Sequence, residues 1–421
     1  MKQESLLSIA FMIGLSTATL AYAAQATTIN LGDGHNPSIS SDGQGHLFVV
    51  FEGVDNNSGA ADIFYSSSND GGRTWTKRLD VSPTVGVSTQ PRVAIERDGA
   101  IDVVWADTTS GENSPDIFFT RSTDGGHTWN KPIDISNTPG ISREPVLTVG
   151  QDNTIHVAFT DNGRGDKKDV FYTSSTDGGK TWSKDRPLVN VSNTPGDSSE
   201  PAIAVGADSI VHIAWKDDSA EDLIPQIYYS QRSQSAWSNV VNVSKSRRYS
   251  YHPVIGCGST GRIYITWSDR SELESAADVW CIDSANKGPL THLAHVTGSG
   301  SIASEAAMAA DRSDRVAVVW PDRALGLSSP RICLRVLSND LSGSYRGMKF
   351  SKSAAVQMAP AVAIDGDKLT VVWEERKEGK TPIKVRSIDL RNMPTRIAKN
   401  EDNKQGKGRS APPKATLSGQ R

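Results

Sequence analysis

The sequence predicts an all-β protein, a seven-bladed β-propeller in which each blade is a four-stranded antiparallel sheet. Three observations support this: a sevenfold internal repeat, strand-like alternation with no helical segment between the strands, and many turn residues, with 36 Gly in 421 residues. The length alone would suggest two or three domains. Seven repeats of 52 to 56 residues, however, fill residues 37 to about 395, so we expect one repeat domain over 27–395.

Two landmarks define each repeat. The first is a start residue, usually proline: Pro37, Pro91, Pro145, Pro201, Pro253, Ala306 and Pro360. The second, about 14 residues later, is an aromatic residue followed two positions on by an acid: Trp105/Asp107, Phe159/Asp161, Trp215/Asp217, Trp267/Asp269, Trp320/Asp322 and Trp373/Glu375. In the first repeat Phe51 is followed by Gly53 instead. An acid present in nearly every repeat is expected to cap a turn, because a catalytic residue has no reason to recur.

The second repeat illustrates the expected strands. Pro91–Ile95 alternates, Asp98-Gly99 supplies a hairpin turn, and Ile101–Trp105 forms the second strand. Asp116–Arg121 and Ile133–Ser136 follow as the third and fourth strands. Four strands without a helix in about 54 residues are typical of a propeller blade, which buries its faces against neighbouring blades.

Closure of the ring is also predicted. The seventh repeat has a poor fourth strand, whereas Thr28–Leu31, before the first repeat, resembles the fourth-strand segment Leu188–Val191. We therefore expect the N-terminal strand to complete the last blade.

The first 26 residues resemble a secretory signal peptide. Lys2 precedes an uncharged, apolar and small-residue run over Leu6–Ala24, with small-x-small cleavage sites after Ala23 and Ala26. An uncleaved anchor is the alternative. No later run is long enough to span a membrane, so we expect a protein exported to the periplasm or the extracellular space.

Residues 396–421 are predicted to be a disordered basic tail. From Arg391 onward the chain carries eight Lys and Arg against two acids, with many polar residues. The tail either only solubilises the protein or attaches it to anionic envelope polymers.

Charge and cysteine content exclude several classes of protein. A net charge of -3 argues against nucleic-acid binding. Three cysteines, Cys257, Cys281 and Cys333, cannot form a disulfide scaffold, and we expect them to be buried thiols. We expect no cofactor, no bound metal and a monomer.

A Gly-rich turn recurs three times almost unchanged, over Ser68–Trp75, Ser122–Trp129 and Ser175–Trp182. This Ser-x-Asp-x-Gly-x-Thr-Trp pattern resembles the Asp-box, or BNR, repeat of sialidase-like propellers. The resemblance implies a structural turn on the face away from the active site, with these box residues: Asp70, Trp75, Asp124, Trp129, Asp177 and Trp182. One carboxylate per loop is too few for calcium.

The opposite face carries the candidate ligand site, because the loops that enter each first strand and leave each second strand meet there. Arg270, Arg323 and Arg376 follow the acid in repeats five to seven only, so they would either clamp a carboxylate or pair with the acids beside them. The loops before the first strands add further candidates: Arg143, Glu144, Tyr249, Tyr251 and His252.

The resemblance also implies sialidase chemistry, with three arginines on a sugar carboxylate, an aspartic acid/base and a tyrosine assisted by a glutamate. Tyr251 with Glu200 or Glu305 is the candidate pair. The Phe/Tyr-Arg-Ile-Pro segment of those enzymes is missing, and seven repeats replace their usual six blades. We therefore expect a non-catalytic exported propeller that binds a glycan or protein ligand. The alternatives are an exo-α-sialidase or related glycoside hydrolase, and a structural envelope scaffold.

Overall fold

The structure is a computed structural model. It describes these residues: 27–54, 59–111, 114–163, 165–182, 188–220, 223–233, 236–270, 277–284, 290–297, 303, 305–311, 313–323, 329–337, 341, 348–350 and 353–392. The predicted signal peptide and the predicted basic tail lie outside them.

The strands form seven antiparallel sheets, which we number as blades 1 to 7. Blades 1 to 3 each have four strands: β2 (His35–Ser41), β3 (Leu47–Val54), β4 (Ala61–Ser68) and β5 (Leu79–Asp80); β6 (Ser88–Ile95), β7 (Ile101–Asp107), β8 (Asp116–Ser122) and β9 (Ile133–Asp134); β10 (Ser142–Val149), β11 (Ile155–Asp161), β12 (Asp169–Ser175) and β13 (Val189–Asn190). Blade 4 has β14 (Ser198–Val205), β15 (Val211–Asp217), β16 (Gln226–Ser233), a short additional β17 (Ala236–Trp237) and β18 (Val241–Asn242).

Blades 5 to 7 follow the same order: β19 (Ser250–Cys257), β20 (Ile263–Arg270), β21 (Ala277–Ser284) and β22 (Leu290–His295); β23 (Ala307–Ala310), β24 (Val316–Asp322), β25 (Arg331–Leu337) and β26 (Met348–Lys349); β27 (Val356–Asp365), β28 (Lys368–Arg376) and β29 (Pro382–Asp389). A short 3-10 helix, Leu390–Asn392, follows β29. No helix among the described residues is long and apolar enough to cross a membrane.

The N-terminal strand closes the ring, as predicted. β1 (Ile29–Asp33) is the outer strand of blade 7 and pairs antiparallel with β29, with Ile29 opposite Val385 and Asn30 opposite Lys384. The first and last strands of the described chain thus share one sheet. The seven-bladed, four-stranded fold predicted from the repeat is confirmed.

The core lies between neighbouring blades. The aromatic of the second strand is almost fully buried, at 0% exposed for Trp105, Trp215 and Trp373 and 2% for Trp267. Each cluster of buried side chains joins residues of two adjacent blades, such as Val50 of blade 1 with Val103 and Trp105 of blade 2. Burying large apolar side chains is the main stabilising term, at about 1.5–3 kcal/mol each.

The three Asp-boxes share most of their hydrogen bonds, including both bonds from the threonine to the aspartate. In the first, Asp70 accepts bonds from the backbone N–H groups of Arg73 and Thr74 and from the Thr74 hydroxyl at 2.6 Å. The Thr74 hydroxyl is the main cause of the fall in the pKa of Asp70 to about 2. The Trp75 indole N–H donates to the Gly72 carbonyl. These bonds hold the backbone of the turn in place.

The tryptophan of the box packs across the blade boundary. Trp129 meets Tyr65 of blade 1 edge to face at 5.1 Å, and Trp182 meets Phe119 of blade 2 at 5.0 Å. Trp237, which remains where the fourth box has degenerated, packs on Tyr172 in the same way at 5.3 Å.

The loops divide between two faces of the ring. The hairpin between the first two strands lies beside the Asp-box, since Gly71 donates its N–H to the Gly45 carbonyl. The Leu390 N–H likewise donates to the Asp367 carbonyl, so β29 ends on this Asp-box face. The connections into each first strand and out of each second strand form the opposite face, which we call the loop face.

Candidate functional site

Every first strand is preceded or interrupted by a bulge at the loop face. In each blade the residue before the start position has a positive φ, between 46° and 58°: Asn36, Gln90, Glu144, Glu200, His252, Glu305 and Ala359. Non-glycine residues rarely adopt this conformation. The strand register shifts at the bulge in six of the blades. The seven equivalent residues therefore form one belt around the ring.

Hydrogen bonds link this belt from blade to blade. The Gln90 amide oxygen accepts the N–H of Glu144 at 2.9 Å, and the Glu144 carboxylate accepts the N–H of Glu200 at 2.7 Å. The Glu200 carboxylate accepts the N–H of His252 at 2.7 Å. Each side chain thus satisfies the backbone of the next bulge and holds it in place.

Two further glutamates complete the belt beside Asn36 and Ala359, whose side chains are shorter than those of Gln90, Glu144 and Glu200. Glu52 accepts the N–H of Gln90 at 2.6 Å and the side-chain amide of Asn36 at 2.7 Å. Glu374 accepts the N–H of Asn36 at 2.9 Å, next to Ala359 in blade 7. Neither glutamate was predicted from the sequence. The signal in the sequence is a glutamate directly after the repeated aromatic residue, in the two repeats whose belt residue is Asn or Ala.

Glu200 is the most strongly held carboxylate of the belt. Lys216 donates to it at 2.5 Å, and the His252 ring nitrogen lies 3.2 Å away. Burial acts to raise the pKa of Glu200, but His252 and Lys216 outweigh it and lower the pKa to about 2. For His252, burial acts to lower the pKa, and the bond to Glu200 with the nearby charge of Glu305 raises it overall. At neutral pH Glu200 is a charged acceptor with no proton to donate.

Tyr251 lies next to this pair without a hydrogen bond to Glu200 or Glu305 among the described residues. Its ring meets the edge of His252 at 5.1 Å. Burial raises the pKa of Tyr251, against the effect of Arg270, and the charges of Asp269, Glu200 and Glu305 add to the rise. The catalytic role of Tyr251 with Glu200 or Glu305 stays a prediction.

The repeated acid is structural, as its recurrence predicts. Asp107 is fully buried and accepts bonds from the Trp105 indole at 2.8 Å, from Ser88 at 2.8 Å and from Thr84 at 2.7 Å. It also caps the following loop through the N–H of Thr109. Asp161 and Asp217 hold the equivalent serine and threonine hydroxyls in blades 3 and 4.

Blade 5 departs from this network. In blades 2 to 4 a glycine of the incoming loop, Gly86, Gly140 or Gly196, packs so close to the outgoing loop that a Cβ would lie 2.1–2.3 Å from its nearest atom. The corresponding residue of blade 5 is Arg248. There the Trp267 indole N–H, the Ser250 hydroxyl and Asp269 Oδ1 are buried without a hydrogen-bond partner among the described residues. Burial raises the pKa of Asp269.

An arginine and a tyrosine directly next to Asp269 and Ser250 in the sequence stack on each other. The Arg270 guanidinium lies 5.1 Å from the centre of the Tyr249 ring, and both side chains are exposed. We call residues 247–252 together with Arg270 the blade-5 corner. It brings together four predicted site residues: Tyr249, Tyr251, His252 and Arg270.

The other predicted arginines lie elsewhere on the loop face. Arg376 faces Glu374 at 3.6 Å, rather than Glu375 beside it, and remains 53% exposed. Arg323 and Arg143 are exposed at the ends of their strands. Arg270, Arg323 and Arg376 follow the second strands of three successive blades, and their convergence on one carboxylate stays a prediction.

The fold and these turns define a seven-bladed Asp-box propeller whose loop face carries a belt of glutamates and an irregular corner in blade 5. The chain belongs to the BNR repeat-like domain family, whose sequence profile matches residues 22–265. No curated protein sequence matches the chain.

Several solved structures share the fold. A polysaccharide lyase of family PL25, an ulvan lyase bound to -[GlcA(1-4)Rha3S]-, has 12% identity and a TM-score of 0.59, covering 86% of this chain and 96% of its own. An α-L-arabinanase from Penicillium chrysogenum has 14% identity, a TM-score of 0.53 and coverages of 87% and 99%. An α-L-arabinofuranosidase of Fusarium graminearum has 13% identity, a TM-score of 0.53 and coverages of 87% and 98%. At such identities the likeness shows the fold alone.

Proposed function

We propose that this protein is an exported, non-catalytic propeller that binds a carboxylate-bearing glycan on its loop face, at the blade-5 corner. The observation that carries the proposal is the break in the repeat. Blades 2 to 4 use the acid, its hydroxyl partners and a glycine to close the loop face, whereas blade 5 has Arg248 and leaves buried polar atoms unpaired. A departure from a regular pattern that costs stability is expected where a ligand binds.

The chemistry of the corner fits a sugar carboxylate. The planar guanidinium of Arg270 can donate two parallel hydrogen bonds to a carboxylate. Its position over Tyr249 limits its rotation and leaves it exposed. The hydroxyl of Tyr251 and the ring of His252 add polar and stacking contacts next to it.

The contacts of the neighbouring groups support binding rather than hydrolysis. A glutamate that assists a tyrosine must lie within hydrogen-bond reach of it, whereas the Glu200 carboxylate is bonded to the Lys216 ammonium and to the His252 backbone N–H. A tyrosine nucleophile needs a nearby base, and Tyr251 has a raised pKa. The proteins that share the fold, a polysaccharide lyase, an arabinanase and an arabinofuranosidase, favour a glycan over a protein as the ligand.

The test combines a glycan array with a fluorogenic sialoside assay on the whole exported chain. We expect binding to glycans that carry sialic or uronic acids, a loss of about tenfold or more for Arg270→Ala and incomplete rescue by Arg270→Lys. Arg97→Ala, an exposed arginine of the Asp-box face, is the control and should bind normally. Binding unchanged by Arg270→Ala would refute the site. Sialoside turnover abolished by Tyr251→Phe would refute the non-catalytic assignment.

A further inference from the structure

A groove runs along the seam where blade 7 meets blade 1. One wall is β1, and the other is the segment Arg73–Arg78, which leads from the first Asp-box toward β5. The groove has a volume of about 580 Å³. Its lining includes three cations, Arg73, Lys77 and Arg78, and no Asp or Glu side chain. We propose that this groove is a second binding site, for a segment of anionic polysaccharide that carries sulfate or carboxylate groups.

The groove exists because the seam differs from the other blade boundaries. The ring that covers the box tryptophan, Tyr65 for Trp129, lies opposite Val50 in its own blade. The residue at that position of blade 7 is Val385, opposite Val372. A valine cannot cover the indole as a ring does. Among the described residues Trp75 therefore has no aromatic partner and lines the groove, half-buried.

The cations are arranged for an anion. Arg78 is held in place, with its guanidinium 4.2 Å from the centre of the Phe64 ring and bonded to the carbonyls of Asp33 and Val54 at 3.4 and 3.5 Å. Arg73 and Lys77 are exposed and form no ion pair with a described residue. Neither charge is paired with a carboxylate of the described residues, although the protein as a whole has a net charge of -3.

The strand wall argues against a peptide as the occupant. A peptide would add to the free edge of β1 through backbone hydrogen bonds. The register of β1 shifts between Asn30 and Gly32, and the Gly32 N–H is already taken by the Asn30 side chain at 3.1 Å. A bulged edge does not pair well with another strand. Recognition must come from side chains, and a ring face beside three cations suits a charged sugar chain.

The other two boxes supply matched controls. Lys180 occupies the position of Arg73 in the third box, and Lys131 occupies the position of Lys77 after the second box. Both are exposed and lie outside the groove. Removing either pair of charges changes the net charge of the protein equally, so only a local site distinguishes the two double variants.

The experiment measures fluorescence anisotropy of labelled oligosaccharides with the full exported chain. Sulfated dextran and oligogalacturonate represent the two kinds of anionic group, and unsulfated dextran is the neutral probe. We expect one of the charged probes to bind, more weakly as salt rises. Arg73→Ala/Lys77→Ala should weaken binding about tenfold, and Lys131→Ala/Lys180→Ala by less than about twofold.

Three outcomes would overturn the proposal: equal losses in both double variants, no loss in either, or tighter binding of a polyglutamate peptide than of both charged sugars. The blade-5 corner would also bind the carboxylates of oligogalacturonate, so both double variants are made in the Arg270→Ala background as well, where the difference between them should persist. This background separates the groove from the blade-5 corner, so either site can fail without the other.

Discussion

Gly126, the second glycine of the second Asp-box, tests how the box joins two blades. Its φ is +89°, and a Cβ built there would lie 2.4–2.5 Å from ring atoms and the hydroxyl of Tyr65 in blade 1. Gly125 has a similar φ of +76°, yet a Cβ there would meet nothing within 4 Å. Alanine at either position adds the same kind of backbone strain, but only at Gly126 does it also collide with the neighbouring blade.

The magnitudes follow from these two differences. Left-handed backbone costs alanine about 1–2 kcal/mol, and the lower entropy of the unfolded chain returns about 0.4–1 kcal/mol. Gly125→Ala should therefore lower the free energy of unfolding by roughly 1 kcal/mol. Gly126→Ala adds the displacement of Tyr65, a form of overpacking that costs about 1–3 kcal/mol, for a total of about 2–4 kcal/mol.

Urea unfolding followed by tryptophan fluorescence measures both losses. Tyr65→Val reproduces at blade 1 the residue that blade 7 has at this position, Val385. In that background Gly126→Ala should cost little more than Gly125→Ala, which gives a coupling energy of about 1 kcal/mol or more. Equal losses for the two alanine variants in the wild-type background would refute the claim that contact between blades requires this glycine.

Two further predictions concern pH and closure. Burial lowers the pKa of His156 and His212 to about 4. Between pH 4 and about pH 6.5 the folded protein therefore binds fewer protons than the unfolded chain. The stability present above about pH 6.5 is lost as the pH falls toward 4, by about 1.4 kcal/mol per pH unit for each histidine. A plot of Tm against pH should therefore be flatter over this range for the double His→Gln variant than for the wild type. Parallel plots for the two proteins would contradict the assignment. Deleting residues 27–32 removes most of β1 and should lower Tm by on the order of 10 °C, whereas deleting 396–421 should leave Tm unchanged. An unchanged Tm after the first deletion would show that β1 does not lock the ring.

The sequence predicted the fold because propeller repeats are local. Each blade forms from about 54 consecutive residues, so landmarks such as Trp105 and Asp107 recur at a fixed spacing. The box residues were also predictable, since Asp70 bonds groups three and four residues along the chain. Even closure was visible, because β1 resembles the strands whose place it takes.

The candidate site was predicted only in part. The sequence marked Tyr249, Tyr251, His252 and Arg270 as departures from the repeat, and the structure brings them together at the blade-5 corner. The sequence could not show that Glu200 would bond His252, because the two residues lie 52 positions apart. Nor could it show that Lys216 would donate to the same carboxylate, which the sequence had marked only as a candidate partner of Tyr251.

The sequence by itself determined the number of blades, their strands, the box turns and the strand that closes the ring, because each depends on periodicity and on contacts within a few residues. Only the tertiary structure decided which groups face one another across blades. The belt from Glu52 to Glu374 and the groove beside Trp75 arise from residues of different repeats. Their distances depend on how the blades pack around the ring, and the spacing of residues along the chain does not encode those distances.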